Sequence, residues 1–199
     1  MHLTFADITL PLWLFAAQWV LLFALGFLIL VMFRQIALFE RLKDSGSERE
    51  GLPVGEKAPS FVYQPVNRRA NPPAHFEPVG NWSLLLFADP SCSSCQSTLL
   101  SLERLAPRLA QSMRLLVATT AEPAVITAAD AFRQATVEIG RIPVDVSTRL
   151  YRTTVTPFGY LIDPDGIVRA KGAVADDASL RKLVRQGDQT PVNVEFTIS

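Results

Sequence analysis

Two cysteines occur in the chain, Cys92 and Cys95, with Ser93 and Ser94 between them. At this spacing two sulfurs lie about one helical turn apart, close enough to cycle between a dithiol and a disulfide. Residues 83–88 before the pair form an apolar run, and Leu99, Leu102, Leu105 and Leu109 after it recur at helical spacing. The pair therefore stands where a buried strand hands over to a helix. At a helix N-terminus, unpaired backbone N–H groups and the macrodipole favour a thiolate, so Cys92 is expected to be the exposed, low-pKa nucleophile. Cys95, deeper along the helix, is expected to be the buried resolving thiol that closes the disulfide and releases the partner. The hydroxyls of Ser93 and Ser94 can also donate to the sulfur.

Other uses of a cysteine pair need groups that this chain lacks. A zinc site takes about four ligands, and the histidines are His2 and His75 alone. Covalent haem attachment requires a histidine directly after the second cysteine, where this chain has Gln96. No metal and no cofactor is expected. The bland alternatives are an inert pair of buried thiols and a structural disulfide, although a bridge closing so short a loop adds little stability. A second feature points to redox work: Val155-Thr156-Pro157 immediately precedes another strand-like run. A cis bond at Pro157 would bring the Thr156 backbone beside the sulfurs, whereas a trans proline would only start a strand. The candidate site is Cys92, Cys95, Thr156 and Pro157.

The elements that must hold this site follow from pattern. Residues 83–88 read as a central strand buried on both faces, ended by Asp89-Pro90-Ser91. The helix after Cys92 should be kinked or ended by Pro107. Residues 114–119 read as a second strand, 123–139 as helical, 144–151 as a connection and 159–162 as a third strand. Pro164-Asp165-Gly166 signals a turn into a strand over 167–170. Asp176 or Asp177 then caps a last helix holding Leu180, Leu183 and Val184. The proline-rich residues 61–82 read as irregular chain with at most short strands. This order predicts an α/β fold whose mixed sheet has a parallel part and an antiparallel edge.

Residues 8–33 carry no charge and are dominated by Leu, Phe, Ala, Val and Trp. A membrane span needs about 20 such residues, so this run is expected to be a single-pass anchor in contact with the lipid bilayer. It is too long, and lacks the basic start and small-residue end, for a cleaved signal. The expected domains are 1–34 as the transmembrane anchor, 35–51 as a juxtamembrane helix and linker, 52–188 as the redox domain and 189–199 as a tail. Arg34, Arg41, Lys43 and Arg49 follow the span, which by the positive-inside bias would leave the domain in the cytoplasm. A tethered dithiol has its clearest separate task where client disulfides persist, so the inner membrane with a periplasmic domain is expected nonetheless. With 19 basic and 19 acidic residues scattered along the chain, no basic field exists to draw nucleic acid.

Several stretches together resemble the thioredoxin-like proteins of the TlpA/ResA group. They are residues 87–95 (Phe-Ala-Asp-Pro-Ser-Cys-Ser-Ser-Cys), the Thr156-Pro157 step, and residues 160–172 from Tyr160 to Gly172. Within that group the likeness is to the MauD-like methylamine-utilisation accessory proteins, which share an N-terminal span and patterns like Arg34-Gln35-Ile36, Glu40-Arg41 and residues 55–61. The resemblance implies a thioredoxin fold, a cis bond at Pro157, and thiol-disulfide exchange with a protein client. It further implies a client like the disulfide-rich small subunit of methylamine dehydrogenase, and an envelope redox partner that recycles the pair. The chain departs from thioredoxins in having no tryptophan before Cys92 and no proline between the cysteines. Leu86 stands where thioredoxins bury an acidic proton acceptor, and Thr98 stands where many TlpA-like helices carry an acid. Asp89, read as a turn former, and Glu103 are the nearest acids, and no proton acceptor is assigned. A non-catalytic assembly factor or metallochaperone that uses the fold for docking is the alternative function.

Overall fold

The computed structural model describes residues 17–32, 50–66 and 72–188. The chain divides into two units, Met1–Ser45 and Gly46–Ser199. In the first, residues 17–32 form a helix, α1, with apolar side chains such as Phe23 and Phe27 exposed. No helix of the described residues is long and apolar enough to cross a membrane. The rest of the expected span, residues 8–16 and 33, lies outside the described residues, as do the juxtamembrane segment up to residue 49 and the tail 189–199.

The second unit is built on a seven-stranded mixed sheet in the order β2-β1-β5-β4-β3-β6-β7. Its strands are β1 (Phe61–Pro65), β2 (Ala74–Phe76), β3 (Trp82–Phe87), β4 (Met113–Thr119), β5 (Glu138–Arg141), β6 (Phe158–Ile162) and β7 (Val168–Ala173). Strands β3, β4 and β5 run parallel, and β6 and β7 add antiparallel beside β3. The helices are α2 (Ser93–Leu109), α3 (Pro123–Ala128), α4 (Asp130–Arg133) and α5 (Asp177–Asp188), with a π-helical turn at Val146–Leu150.

Strand β3 is apolar along its length because both its faces are covered. Leu84, Leu86 and Ala88 pack with Cys95, Leu99 and Leu180 on the side of α2 and α5. Leu85 and Phe87 point the other way, into an aromatic cluster with Phe61, Tyr151, Phe158 and Tyr160. In that cluster Phe87 lies 5.2 Å from Tyr151 and 5.9 Å, edge-on, from Tyr160. Such tilted and edge-on pairs suit the ring quadrupoles.

The structure corrects two of the expectations, the helix over 123–139 and the end of the last strand, and fills in others. Residues 123–139 are not one helix: α3 and α4 are short, and the chain becomes strand β5, parallel to β4. The β-branched Val137 and Ile139 enter the core beside β4, and this tertiary pairing outweighs helical spacing. Residues 61–82 hold only short strands, as expected: the antiparallel pair β1–β2, where Phe61 to Pro65 alternate buried and exposed. The prolines sit at the strand end and beyond it, where no ladder N–H is needed. Pro107 lies inside α2, which runs on to Leu109. Strand β7 extends to Ala173, beyond the expected residue 170. The turn at Pro164-Asp165-Gly166 is present, with Gly166 at φ +81°, and Asp176 Oδ1 accepts from the Ser179 N–H at 2.7 Å to start α5.

Candidate active site

The loop from β3 to α2 is drawn tight by Asp89. Its Oδ1 accepts from the Ser91 N–H at 2.8 Å and the Ser91 hydroxyl at 2.5 Å, while its carbonyl accepts from the Cys92 N–H at 3.1 Å. Gln96 Nε2 donates to the Pro90 carbonyl at 2.8 Å and ties the first turn of α2 to that loop. Asp89 thus acts as the turn former the sequence suggested. Cys92 becomes the N-cap of α2, with extended backbone (φ −90°, ψ 122°), and its sulfur accepts from the Cys95 N–H at 3.4 Å. The Ser94 Oγ lies 3.0 Å from the same sulfur, and no acidic side chain occupies the first turn of the helix.

These contacts separate the two thiols. Cys92 is partly exposed and Cys95 is fully buried. Partial burial by itself raises the Cys92 pKa, but hydrogen bonds from the Ser94 hydroxyl and from Cys95 and Ser94 around it outweigh this and bring it below the ordinary thiol value. The helix terminus acts in the same direction. Burial pushes the Cys95 thiol up to about 11, against a backbone hydrogen bond at Asp89 and one from the Thr156 side chain, with the Cys92 sulfur adding to the rise. One thiol is therefore primed to ionise and face solvent, while its neighbour stays protonated in the core.

The Thr156–Pro157 peptide bond is cis. It leads into β6, which pairs antiparallel with β3 so that Phe158 sits opposite Phe87, and the Thr156 side chain reaches Cys95. Of the candidate residues, Cys92 and Cys95 are joined by a hydrogen bond, and the cis Thr156–Pro157 step turns the chain into β6, the strand beside β3.

Three of the uncertain positions resolve into structural roles. Leu86 is fully buried and packs in the same apolar cluster as Cys95. Thr98 is also buried, and its hydroxyl donates to the Val174 carbonyl at 2.5 Å, pinning α2 to the end of β7. Glu103 accepts from the Thr136 N–H at 2.8 Å, the Thr136 hydroxyl at 2.5 Å and the Val137 N–H at 2.9 Å. It anchors the residues that lead into β5. Among the described residues, no group of three or more His, Cys, Asp or Glu side chains comes together to hold a metal.

Sequence reasoning did not single out Glu50 or Tyr160. Tyr160 Oη accepts from the Leu52 N–H at 3.1 Å, donates to the Tyr151 carbonyl at 2.8 Å and lies 2.6 Å from Thr153 Oγ1. Gly51, at φ +77°, passes so close that a Cβ there would stand 2.0 Å from the Tyr160 oxygen. The chain thus enters the domain across the tyrosine that also supports the loop before Thr156.

Comparison with known proteins agrees with this geometry. No family model matches the chain. A curated relative, the methylamine utilization protein MauD of Methylobacillus flagellatus, is 27% identical over 165 residues, covering 77% of this chain and 75% of that protein. In sequence the chain is thus similar to MauD. A Chlorobium tepidum protein assigned as the thiol:disulfide interchange protein DsbE superimposes with a TM-score of 0.58 at 20% identity, covering 68% of this chain and 95% of that one. Peroxidoxin BcpB of Mycobacterium tuberculosis does so with a TM-score of 0.55 at 13% identity, covering 70% of this chain and 98% of that one. The chain thus has a thioredoxin-like fold.

Proposed function

We propose that this protein is a membrane-anchored thiol-disulfide oxidoreductase acting on a protein client. The observation that carries the reading is the pairing of a partly exposed, acidified Cys92 with a buried, protonated Cys95 at one helix start. In the reducing direction, the Cys92 thiolate attacks one sulfur of a client disulfide. That S–S bond breaks, a Cys92–client disulfide forms, and the second client sulfur leaves as a thiolate that takes up a proton. Cys95 then loses its proton and attacks the Cys92 sulfur, so the protein disulfide closes and the client's first sulfur departs. Two electrons pass from the pair to the client. The oxidising direction is the reverse, and the reduction potential sets which one runs.

A client similar to the subunits of methylamine dehydrogenase is supported by the likeness to MauD, itself described as a methylamine utilization protein. A recycling partner in the envelope follows from the need to restore the pair after each turnover. The uncharged run at residues 8–33 supports an anchor in the inner membrane, and the scarcity of lasting disulfides in the cytosol supports a periplasmic domain. The test is exchange between reduced glutathione and a disulfide-bonded protein, catalysed by the full chain, with glutathione disulfide and the reduced protein as products. Catalysis lost in Cys92→Ser supports the reading, and catalysis kept in the Cys92→Ser, Cys95→Ser double variant refutes it in favour of a docking role. Alkaline phosphatase fused after Ser199 tests the location, since a well-expressed but inactive fusion rules out the periplasm.

A further inference from the structure

We infer that Gln96 is a positioning residue for the nucleophile: from the first turn of α2 its side-chain amide holds the Pro90 carbonyl, and so fixes the turn that sets Cys92 at the helix start. The inference rests on the dithiol reading above and adds to it a residue that forms no bond in the exchange.

Residues Asp89 to Cys92 form a β-turn, closed by the Cys92 N–H on the Asp89 carbonyl at 3.1 Å. Asp89 and Pro90 are residue types that such a turn favours at its first and second positions. The closing bond engages the outer groups of a β-turn and leaves those of its middle peptide, here the Pro90 C=O and the Ser91 N–H, to find partners elsewhere. Both have found them. The Ser91 N–H donates to Asp89 Oδ1 at 2.8 Å, and the Pro90 C=O accepts from Gln96 Nε2 at 2.8 Å. Pro90 is buried, where a carbonyl without a partner costs free energy. The peptide just before the nucleophile is thus held at both ends, by one side chain on each side of Cys92.

With Cys92 as the N-cap, Gln96 is the fourth residue of the helix and Pro90 is the second residue before the cap. A contact between the fourth helical residue and the chain just before the cap fixes the angle at which that chain enters the helix. Here the contact is a hydrogen bond instead of an apolar staple. The Gln96 N–H also donates to the Cys92 carbonyl at 3.1 Å and closes the first helical turn. One residue therefore holds Cys92 by its backbone and, by its side chain, the turn that delivers Cys92. The sulfur depends on that placement. It accepts from the Cys95 N–H at 3.4 Å and lies 3.0 Å from the Ser94 Oγ, and both contacts require Cys92 to keep its extended N-cap backbone, at φ −90° and ψ 122°. A Pro90–Ser91 peptide freed at its carbonyl end can rotate, Cys92 then leaves that geometry for part of the time, and its thiolate loses donors.

The test is iodoacetamide labelling of the reduced full chain against pH, which reads the Cys92 midpoint, with urea unfolding of the same samples. Gln96→Met is close in size but has no donor. It should raise the midpoint enough to lower the thiolate fraction at a fixed pH below it about threefold, the low end of what one hydrogen bond contributes. Gln96→Asn keeps the amide but is one methylene too short to reach the Pro90 carbonyl. It should raise the midpoint in the same way, and it serves where Gln96→Met does not fold. If either folded variant keeps the parent midpoint, whatever stability it loses in urea, Gln96 only braces the loop and the inference falls. Exchange activity of the unmodified chain is read separately. Its absence would overturn the dithiol reading while leaving a Gln96-dependent midpoint intact.

Discussion

Replacing Ser94 by alanine removes one oxygen and little else, which makes it a clean probe of what acidifies Cys92. The Ser94 Oγ stands 3.0 Å from the Cys92 sulfur. A hydrogen bond to a charged group contributes about 1.5–3 kcal/mol when sheltered. Cys92 is partly exposed, so water replaces part of the lost donor and about 1 kcal/mol remains. At 1.36 kcal/mol per pH unit this raises the Cys92 midpoint by roughly 0.7 and lowers the thiolate fraction below the midpoint about fivefold. A more basic thiolate is also a better nucleophile, by about twofold for this shift, so the alkylation rate should fall only about two- to threefold. The assay is iodoacetamide labelling of the reduced protein against pH, with Ser93→Ala, an exposed neighbour, as the control that should stay near wild type. An unchanged or lowered midpoint in Ser94→Ala, or an equal shift in Ser93→Ala, would refute the assignment of the acidifying contact.

Tyr160→Phe should cost about 2 kcal/mol in urea unfolding, because it leaves the buried Leu52 N–H without its acceptor and takes one donor from the Tyr151 carbonyl. Glu103→Ala removes three hydrogen bonds to Thr136 and Val137, and should cost roughly 1–2 kcal/mol after allowance for partial exposure, while leaving the Cys92 midpoint in place. The stability of the reduced form, measured against the oxidised form, should pass through a maximum near the ordinary thiol value of 9. The lowered pKa of Cys92 makes stability rise with pH up to that point. The raised pKa of Cys95 makes it fall again as pH climbs from about 9 to about 11, by on the order of 1–3 kcal/mol. Paired unfolding curves across that range check the shape, and a monotonic difference would contradict it.

What the sequence made legible was local. The Cys92–Cys95 pair, the apolar run of β3 before it and the turn at Asp89 lie within about ten residues, and each has a chemistry of its own that pattern alone reports. Strand β5 was hidden because Val125, Ala129, Phe132 and Ile139 fall at helical spacing, and the alternation of Val137 and Ile139 is too short to stand out against it. Its pairing with β4 and its anchorage by Glu103 come from residues far away in the chain. Strand β1 was obscured by Pro65 at its end and by the prolines that follow it, although Phe61 and Tyr63 already alternated with Val62 and Gln64. In the site, Thr98 read as a missing acid because its partner is the Val174 carbonyl, 76 positions on. Glu50 read as one charge of a polar tether because nothing local shows that Thr154 folds back 104 residues to meet it. Long-range hydrogen bonds of this kind leave no periodicity for a sequence pattern to reveal.

The most direct test of the central claim is a trapping experiment on a disulfide-bonded protein substrate. With Cys95→Ser the first exchange proceeds but cannot be resolved, so a mixed disulfide through Cys92 should accumulate and migrate as a covalent complex that dithiothreitol releases. Cys92→Ser should trap little, since the remaining thiol is fully buried and its pKa is pushed up to about 11. A complex that forms through Cys95 instead, or no complex from either variant while the folded protein remains intact, would contradict the account.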